Sequence, residues 1–158
     1  MKALIQHVRE ARVEVEGKIV GQIGRGFLVF LGIMADDTEE DMDFLIDKIT
    51  NLRLFKHFDE EADDGKGKEN YFDKSILDKN HEILVVSQFT LCANTNKGRR
   101  PSFDKAAPPD QAKEMYNKFV QKLKTTGLTV AEGEFQAMMN VHLVNEGPIT
   151  IQLDSKER

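Results

Sequence analysis

Five consecutive apolar residues, Phe27-Leu28-Val29-Phe30-Leu31, stand between Gly26 and Gly32. An apolar run without alternation reads as a strand buried on both faces, so the chain must build a sheet with cover on each side. Ile83-Leu84-Val85-Val86 is a second run of this kind. Leu4-Ile5-Gln6-His7-Val8 reads as a first strand, and Val13-Glu14-Val15 with Lys18-Ile19-Val20 flanks Glu16-Gly17 as a hairpin. From Thr38 to Leu52, Met42, Leu45, Ile46, Ile49 and Leu52 recur at helical spacing. Glu39, Glu40 and Asp41 favour the first turn of that helix, with Asp37 or Thr38 as its N-cap.

A second helix is predicted after Pro109, with Ala112, Met115, Tyr116, Phe119, Val120 and Leu123 as its apolar stripe and Gly127 at its end. Strands return near Leu128-Val130, Met138-Val144 and Ile149-Leu153. This order of elements gives an α+β fold: one domain over residues 1–158, with a mixed or antiparallel, barrel-like sheet and two main helices. Residues 59–70 are polar and acidic, and read as a surface insertion without chemistry.

With 40% apolar and 31% charged residues, the composition is that of a water-soluble globule, and no apolar run approaches the roughly 20 residues of a membrane span. Cys92 is the single cysteine, which excludes an internal disulfide and fits a reducing cytosol. A net charge of −5 argues against bulk electrostatic coating of nucleic acid. Lys97, Arg99, Arg100 and Lys105 nevertheless form a local basic cluster, which is equally well read as a solvated loop.

Two polar inserts interrupt the apolar strands. Ser87-Gln88-Phe89-Thr90-Leu91 closes the run at Ile83, and Asn145-Glu146-Gly147-Pro148-Ile149-Thr150 separates Val141-Val144 from Ile151-Leu153. Unpaired polar groups in a buried strand cost on the order of 1–3 kcal/mol each, and proline removes a ladder donor. Violations of this kind gather where function needs them. Strand alternation would place Ser87 and Phe89 on one face and Gln88 and Thr90 on the other.

If the strand frays near Thr90, freed backbone N–H groups there can hold an oxyanion. Ser87 or Thr90 as a nucleophile would need a base, and His7, His57, His81 and His142 are scattered without an acidic partner at recognisable spacing. Spacing alone favours a humbler role, in which the hydroxyls satisfy backbone groups at a strand end. For Gly147-Pro148, the dipeptide alone reads as a tight turn or bulge.

Together, however, the two inserts resemble the signature pair of the D-aminoacyl-tRNA deacylases. The likeness extends over nearly the whole chain, through Ile5-Gln6-His7-Val8, Phe30-Leu31-Gly32, Lys97-Gly98-Arg99-Arg100-Pro101-Ser102-Phe103 and Met138-Met139. The resemblance implies a cytoplasmic homodimer for quality control in translation. Such an enzyme hydrolyses the ester between tRNA and a D-amino acid, or glycine mischarged on alanine tRNA, at an active site on the subunit interface. It implies that Gly147 and Pro148, with a cis bond between them, filter chirality in the partner's pocket. Ser87, Gln88, Phe89 and Thr90 would then form the catalytic strand end, with Phe89 placing the terminal adenosine.

Asn145, Ala137 and Met138 would complete the substrate site, and Lys97, Arg99, Arg100 and Lys105 would contact tRNA phosphates. The family has been discussed with the threonine as nucleophile or with a water assisted by the substrate's ribose hydroxyl. The missing base favours the water. No His/Cys cluster has metal spacing and no glycine-rich phosphate loop occurs, so neither metal nor organic cofactor is expected.

Two positions depart from the family pattern. Relatives commonly carry arginine, supporting the Gly-Pro turn, where this chain has His7. Histidine is shorter and titrates near neutrality, so chiral discrimination is expected to vary with pH. Gln136 stands where glycine is frequent, which narrows the pocket wall. Outside the resemblance, two other readings fit: a non-catalytic nucleic-acid-binding module, and an interaction dimer that uses the stripe of the second helix.

Overall fold

The computed structural model describes residues 1–56, 72–96 and 98–157. The acidic stretch 59–70 lies outside the described residues, as do Lys97 and His57. Among the described residues, six strands form one mixed sheet: β1 (Lys2–Val15), β2 (Lys18–Ile23), β3 (Gly26–Gly32), β4 (Glu82–Ser87), β5 (Val130–Glu132) and β6 (Asn140–Asp154). Three helices accompany them, α1 (Glu39–Asn51), α2 (Ile76–Lys79) and α3 (Pro109–Lys124).

The first expected strand and the first arm of the expected hairpin are one element, β1. Glu16 and Gly17 both take positive φ, as a two-residue hairpin turn requires, and return the chain along the same edge of β1 as β2 and then β3. The other edge of β1 carries β6. Strands β3, β4 and β5 pair in parallel, because helix-bearing crossovers join them, whereas the hairpin-joined half is antiparallel. Gly21 of β2 lies against the carbonyl of Glu132 in β5, where an added Cβ would come within 2.3 Å of the oxygen. This close approach brings β2 to the edge strand and nearly closes the sheet.

The prediction that β3 is buried on both faces holds, and its alternation explains why. Phe27, Val29 and Leu31 join a core with Ile83 and Val85 beneath the helices, while Leu28 joins Leu84 and Val86 in a second core. Strand β1 serves both cores: Ala3 and Ile5 face the first, and Val8, Ala11 and Val13 the second, with the crossover at register irregularities on either side of Val8. Thr38 caps α1 in a reciprocal box with Asp41. Met115, Tyr116, Phe119, Val120 and Leu123 of α3 are buried in the first core, so an interaction dimer has no exposed stripe there.

Two strand expectations need correction. Met138–Val144 and Ile149–Leu153 are not separate strands, since β6 runs unbroken from Asn140 to Asp154. The polar insert survives within it because β6 pairs along β1, and the register slips beside it instead of the strand ending. Alternation also fails beyond Ser87, where β4 stops and Phe89–Cys92 coil into a 3-10 turn.

Candidate active site

The first insert forms a wall of a cavity of about 810 Å³, within the range of small-ligand sites. Ser87, Gln88 and Phe89 line one side, Phe135 to Met139 another, and Phe103 with the Pro108-Pro109 start of α3 a third. The wall has its shape because Gln88 still donates its backbone N–H to Leu31 O at 2.8 Å, after which the chain leaves the sheet. Leu91 N–H then bonds back to Gln88 O at 3.2 Å. In a 3-10 turn the first two amides have no acceptor within the turn, and here these belong to Phe89 and Thr90. They are the free donors expected of a frayed strand end, reached by coiling and not by fraying.

Gly32 allows this turn to lie against β3. A Cβ at that position would stand 2.9 Å from Leu91 Cβ, 3.1 Å from Gln88 O and 3.2 Å from Cys92 Sγ. Phe89 is 60% exposed, with its ring edge-on to Phe103 at a centroid distance of 4.9 Å. Gln88 Nε2 donates to Thr90 Oγ1, so the threonine hydroxyl is engaged by an amide, which is no base. Thr90 is exposed and lies outside the cavity lining, and no histidine is among the described lining residues. His7 and His142 do face carboxylates, Glu146 at 3.7 Å and Glu14 at 3.3 Å, but across the β1–β6 pair. Sequence spacing could not reveal those pairs, because the partners lie on different strands.

Ala137 and Met138 fall on the cavity wall, and Met138 is 90% exposed. Gln136 also lines the cavity, with φ +66. A left-handed φ is the conformation that glycine takes without steric cost and other residues resist. Phe103, Pro108, Pro109 and Ala112 also line the cavity; in the sequence Pro109 and Ala112 mark only the second helix, whereas Phe103, inside the basic motif, carries a signal for the site.

The second insert is elsewhere. Asn145, Gly147 and Pro148 are not among the residues lining this cavity. Gly147 and Pro148 are exposed at a bend of β6, and the peptide bond between them is cis. Asn145 braces the bend: with its amide oriented to satisfy both ends, Nδ2 donates to His7 O at 2.9 Å and Ile149 O at 3.1 Å, while Oδ1 accepts from Thr150 Oγ1 at 3.0 Å. Arg99, Arg100 and Lys105 are exposed on the segment that runs from the 3-10 turn to α3.

The sequence model of a family described as D-Tyr-tRNA(Tyr) deacylase matches residues 4–154. The chain belongs to the D-aminoacyl-tRNA deacylase family. It is 54% identical over 157 residues to the D-aminoacyl-tRNA deacylase of Aquifex aeolicus, with 99% of each chain covered. With that of Geobacter sulfurreducens it shares 52% over 158 residues, covering 100% of this chain and 97% of the relative. Among solved structures, a c-Myc DNA unwinding element binding protein is 42% identical, with a TM-score of 0.86 and 98% of each chain covered. A probable eukaryotic D-amino acid tRNA deacylase shares the fold at a TM-score of 0.80 with 19% identity, covering 96% of this chain and 97% of that one. Members of the deacylase family are hydrolases of the aminoacyl-tRNA ester bond. The matched range spans both inserts, of which the first lines this cavity and the second does not.

Proposed function

We propose that this protein removes D-amino acids, and glycine mischarged on alanine tRNA, from tRNA by ester hydrolysis in the cytoplasm, as a homodimer. The observation that carries the reading is the cavity wall at Phe89, where the 3-10 turn begins and leaves the amides of Phe89 and of Thr90 beside it without an acceptor within the turn, in a member of a deacylase family. Water adds to the ester carbonyl carbon, and the amides of Phe89 and Thr90 stabilise the oxygen that gains charge. The bond to the ribose oxygen then breaks, and that oxygen takes up a proton. The substrate's own ribose hydroxyl assists the water, in keeping with the lack of a histidine among the described lining residues. Phe89 stacks on the terminal adenine, with Ser87 and Gln88 shaping the floor.

Gly147 and Pro148 act as the chirality filter, supplied to this cavity by a second copy of the chain. What supports this is their position: exposed, on β6, and outside the cavity of their own chain. An L side chain collides with the main chain of the turn, a D side chain points away, and glycine offers nothing to reject. The exposed apolar residues Met138, Phe89 and Val144 favour a covering partner. Arg99, Arg100 and Lys105, with Lys97, contact the acceptor-end phosphates, so binding weakens steeply with added salt.

The test incubates the protein with D-aminoacyl-, L-aminoacyl- and glycyl-tRNA and follows ester loss. Selective loss of the D and glycyl esters supports the reading, and equal hydrolysis of both hands refutes the filter. The likeness to a DNA unwinding element binding protein favours a second reading, a nucleic-acid-binding module. Binding without turnover would select it.

A further inference from the structure

Glu146 stands immediately before Gly147, and three basic side chains converge on its carboxylate. Arg9 Nη2 approaches Oε1 at 3.1 Å, Arg25 Nη2 the same oxygen at 3.3 Å, and His7 Nδ1 faces Oε2 at 3.7 Å. Arg9 and His7 come from β1, whereas Arg25 comes from the corner between β2 and β3. The carboxylate is 22% exposed, Arg25 32% and Arg9 60%. His7 Nδ1 is buried with no hydrogen-bond partner, and 3.7 Å is too long for one. The arginines, not the histidine, therefore hold Glu146. Of these, Arg25 is the better shielded from water, and an exposed pair such as Arg9's contributes little. The pairing links residues 121 apart in the chain across β1, whose Val8 pairs with both Gly26 and Asn145.

We propose that Arg25, through Glu146, is a positioning residue that fixes the angle at which the Gly147–Pro148 turn is presented, and so sets chiral selectivity. The inference rests on the turn being the filter. Asn145 braces the base of the bend, but its bonds reach only His7, Ile149 and Thr150. Glu146 is the side chain next to Gly147, and its carboxylate is anchored to a third element. Released from Arg25, that residue regains rotamer freedom and the turn tilts relative to an incoming substrate. Loss of orientation costs selectivity before it costs stability, because no apolar surface is exposed.

The experiment measures D- and L-aminoacyl-tRNA hydrolysis, with thermal unfolding, for wild type, Arg25→Ala, Arg25→Lys, Glu146→Gln and Arg9→Ala. Misplacement of a positioning group costs up to about 100-fold, and Arg25→Ala is expected to lower the D-to-L ratio roughly tenfold through a faster L reaction. Arg25→Lys regains part of the ratio, and Arg9→Ala changes it less than about twofold. The Arg25→Ala and Glu146→Gln effects are not additive when combined. An unchanged ratio in both Arg25→Ala and Glu146→Gln overturns the proposal. So does an equal fall in both rates with a lower melting temperature, which marks a merely structural pair. A wild-type protein without D preference refutes the filter itself, and this is read before any variant is made.

Discussion

At Ser87 the chain leaves its sheet and coils into a 3-10 turn, whereas at Asn145 a polar insert of similar composition stays within β6 and bends it. The neighbours account for the difference. Beyond Ser87, Gly32 leaves a hollow against β3 into which the turn can pack, and the strand's last ladder bond is Gln88 to Leu31. At Asn145, by contrast, β1 continues alongside, and the side-chain amide bonds its main chain. One insert thus exposes main-chain donors by leaving the ladder, and the other exposes a turn while keeping it. Polar residues in an apolar strand announce that the ladder is disturbed, but the adjoining strand decides how.

Filling the hollow is the strongest way to break this contrast. Gly32→Val would place carbon atoms where Leu91, Gln88 and Cys92 already stand, displacing the 3-10 turn. Deacylation of D-aminoacyl-tRNA is expected to fall by about 100-fold in kcat/KM with the chain still folded, as near-ultraviolet and far-ultraviolet circular dichroism would show. The matching change in the second insert is Asn145→Ala, which removes the brace to His7 and Ile149. It should cost about 1–3 kcal/mol in urea unfolding, with a reduced D-to-L ratio. An unaltered ratio would mean that the bend keeps its shape without the brace.

Thr90→Ala separates main chain from side chain within the first insert. Its amide remains, so activity should stay within about tenfold of wild type, a difference near 1.4 kcal/mol. Complete loss in a folded variant would instead make the hydroxyl the nucleophile. The smallest effect is that of His7. Burial drives its imidazole below the ordinary value of 6.5, against the pull of Glu146 and with Arg25 adding to the drop. Between the folded and unfolded values the unfolded chain holds more protons, so stability is lost as pH falls below 6.5 and is flat above it. Urea midpoints measured from about pH 8 to about pH 5 should show this slope in wild type, and His7→Gln should remove it.

Much of the fold was legible because its signals are local. The Phe27–Leu31 run, the α1 stripe with its Thr38 cap, and the Pro109 start of α3 each depend on residues within a few turns of one another. The continuity of β6 was not legible, because a Gly-Pro pair ends most strands and only the partner strand kept this one going. In the site, Ser87, Gln88 and Phe89, named from the first insert, and Ala137 and Met138, named from the family resemblance, meet in one cavity. Thr90, named with them from the resemblance, lies outside the lining, because the chain coils into a 3-10 turn after Ser87. The convergence of Arg9 and Arg25 on Glu146 had no sequence signal, because it depends on three-dimensional register alone.

The 3-10 turn that offers its amides also contains Cys92, buried against Gly32 with its thiol pointed at Ile33 O, 3.5 Å away. Burial, aided by the Asp37 charge, pushes that thiol's pKa above its usual value. A sulfur kept protonated and out of solvent is a poor target for electrophiles, since the thiolate is the reactive form. The turn therefore carries its cysteine in a guarded state, and alkylating agents or peroxide at neutral pH should inactivate the protein slowly.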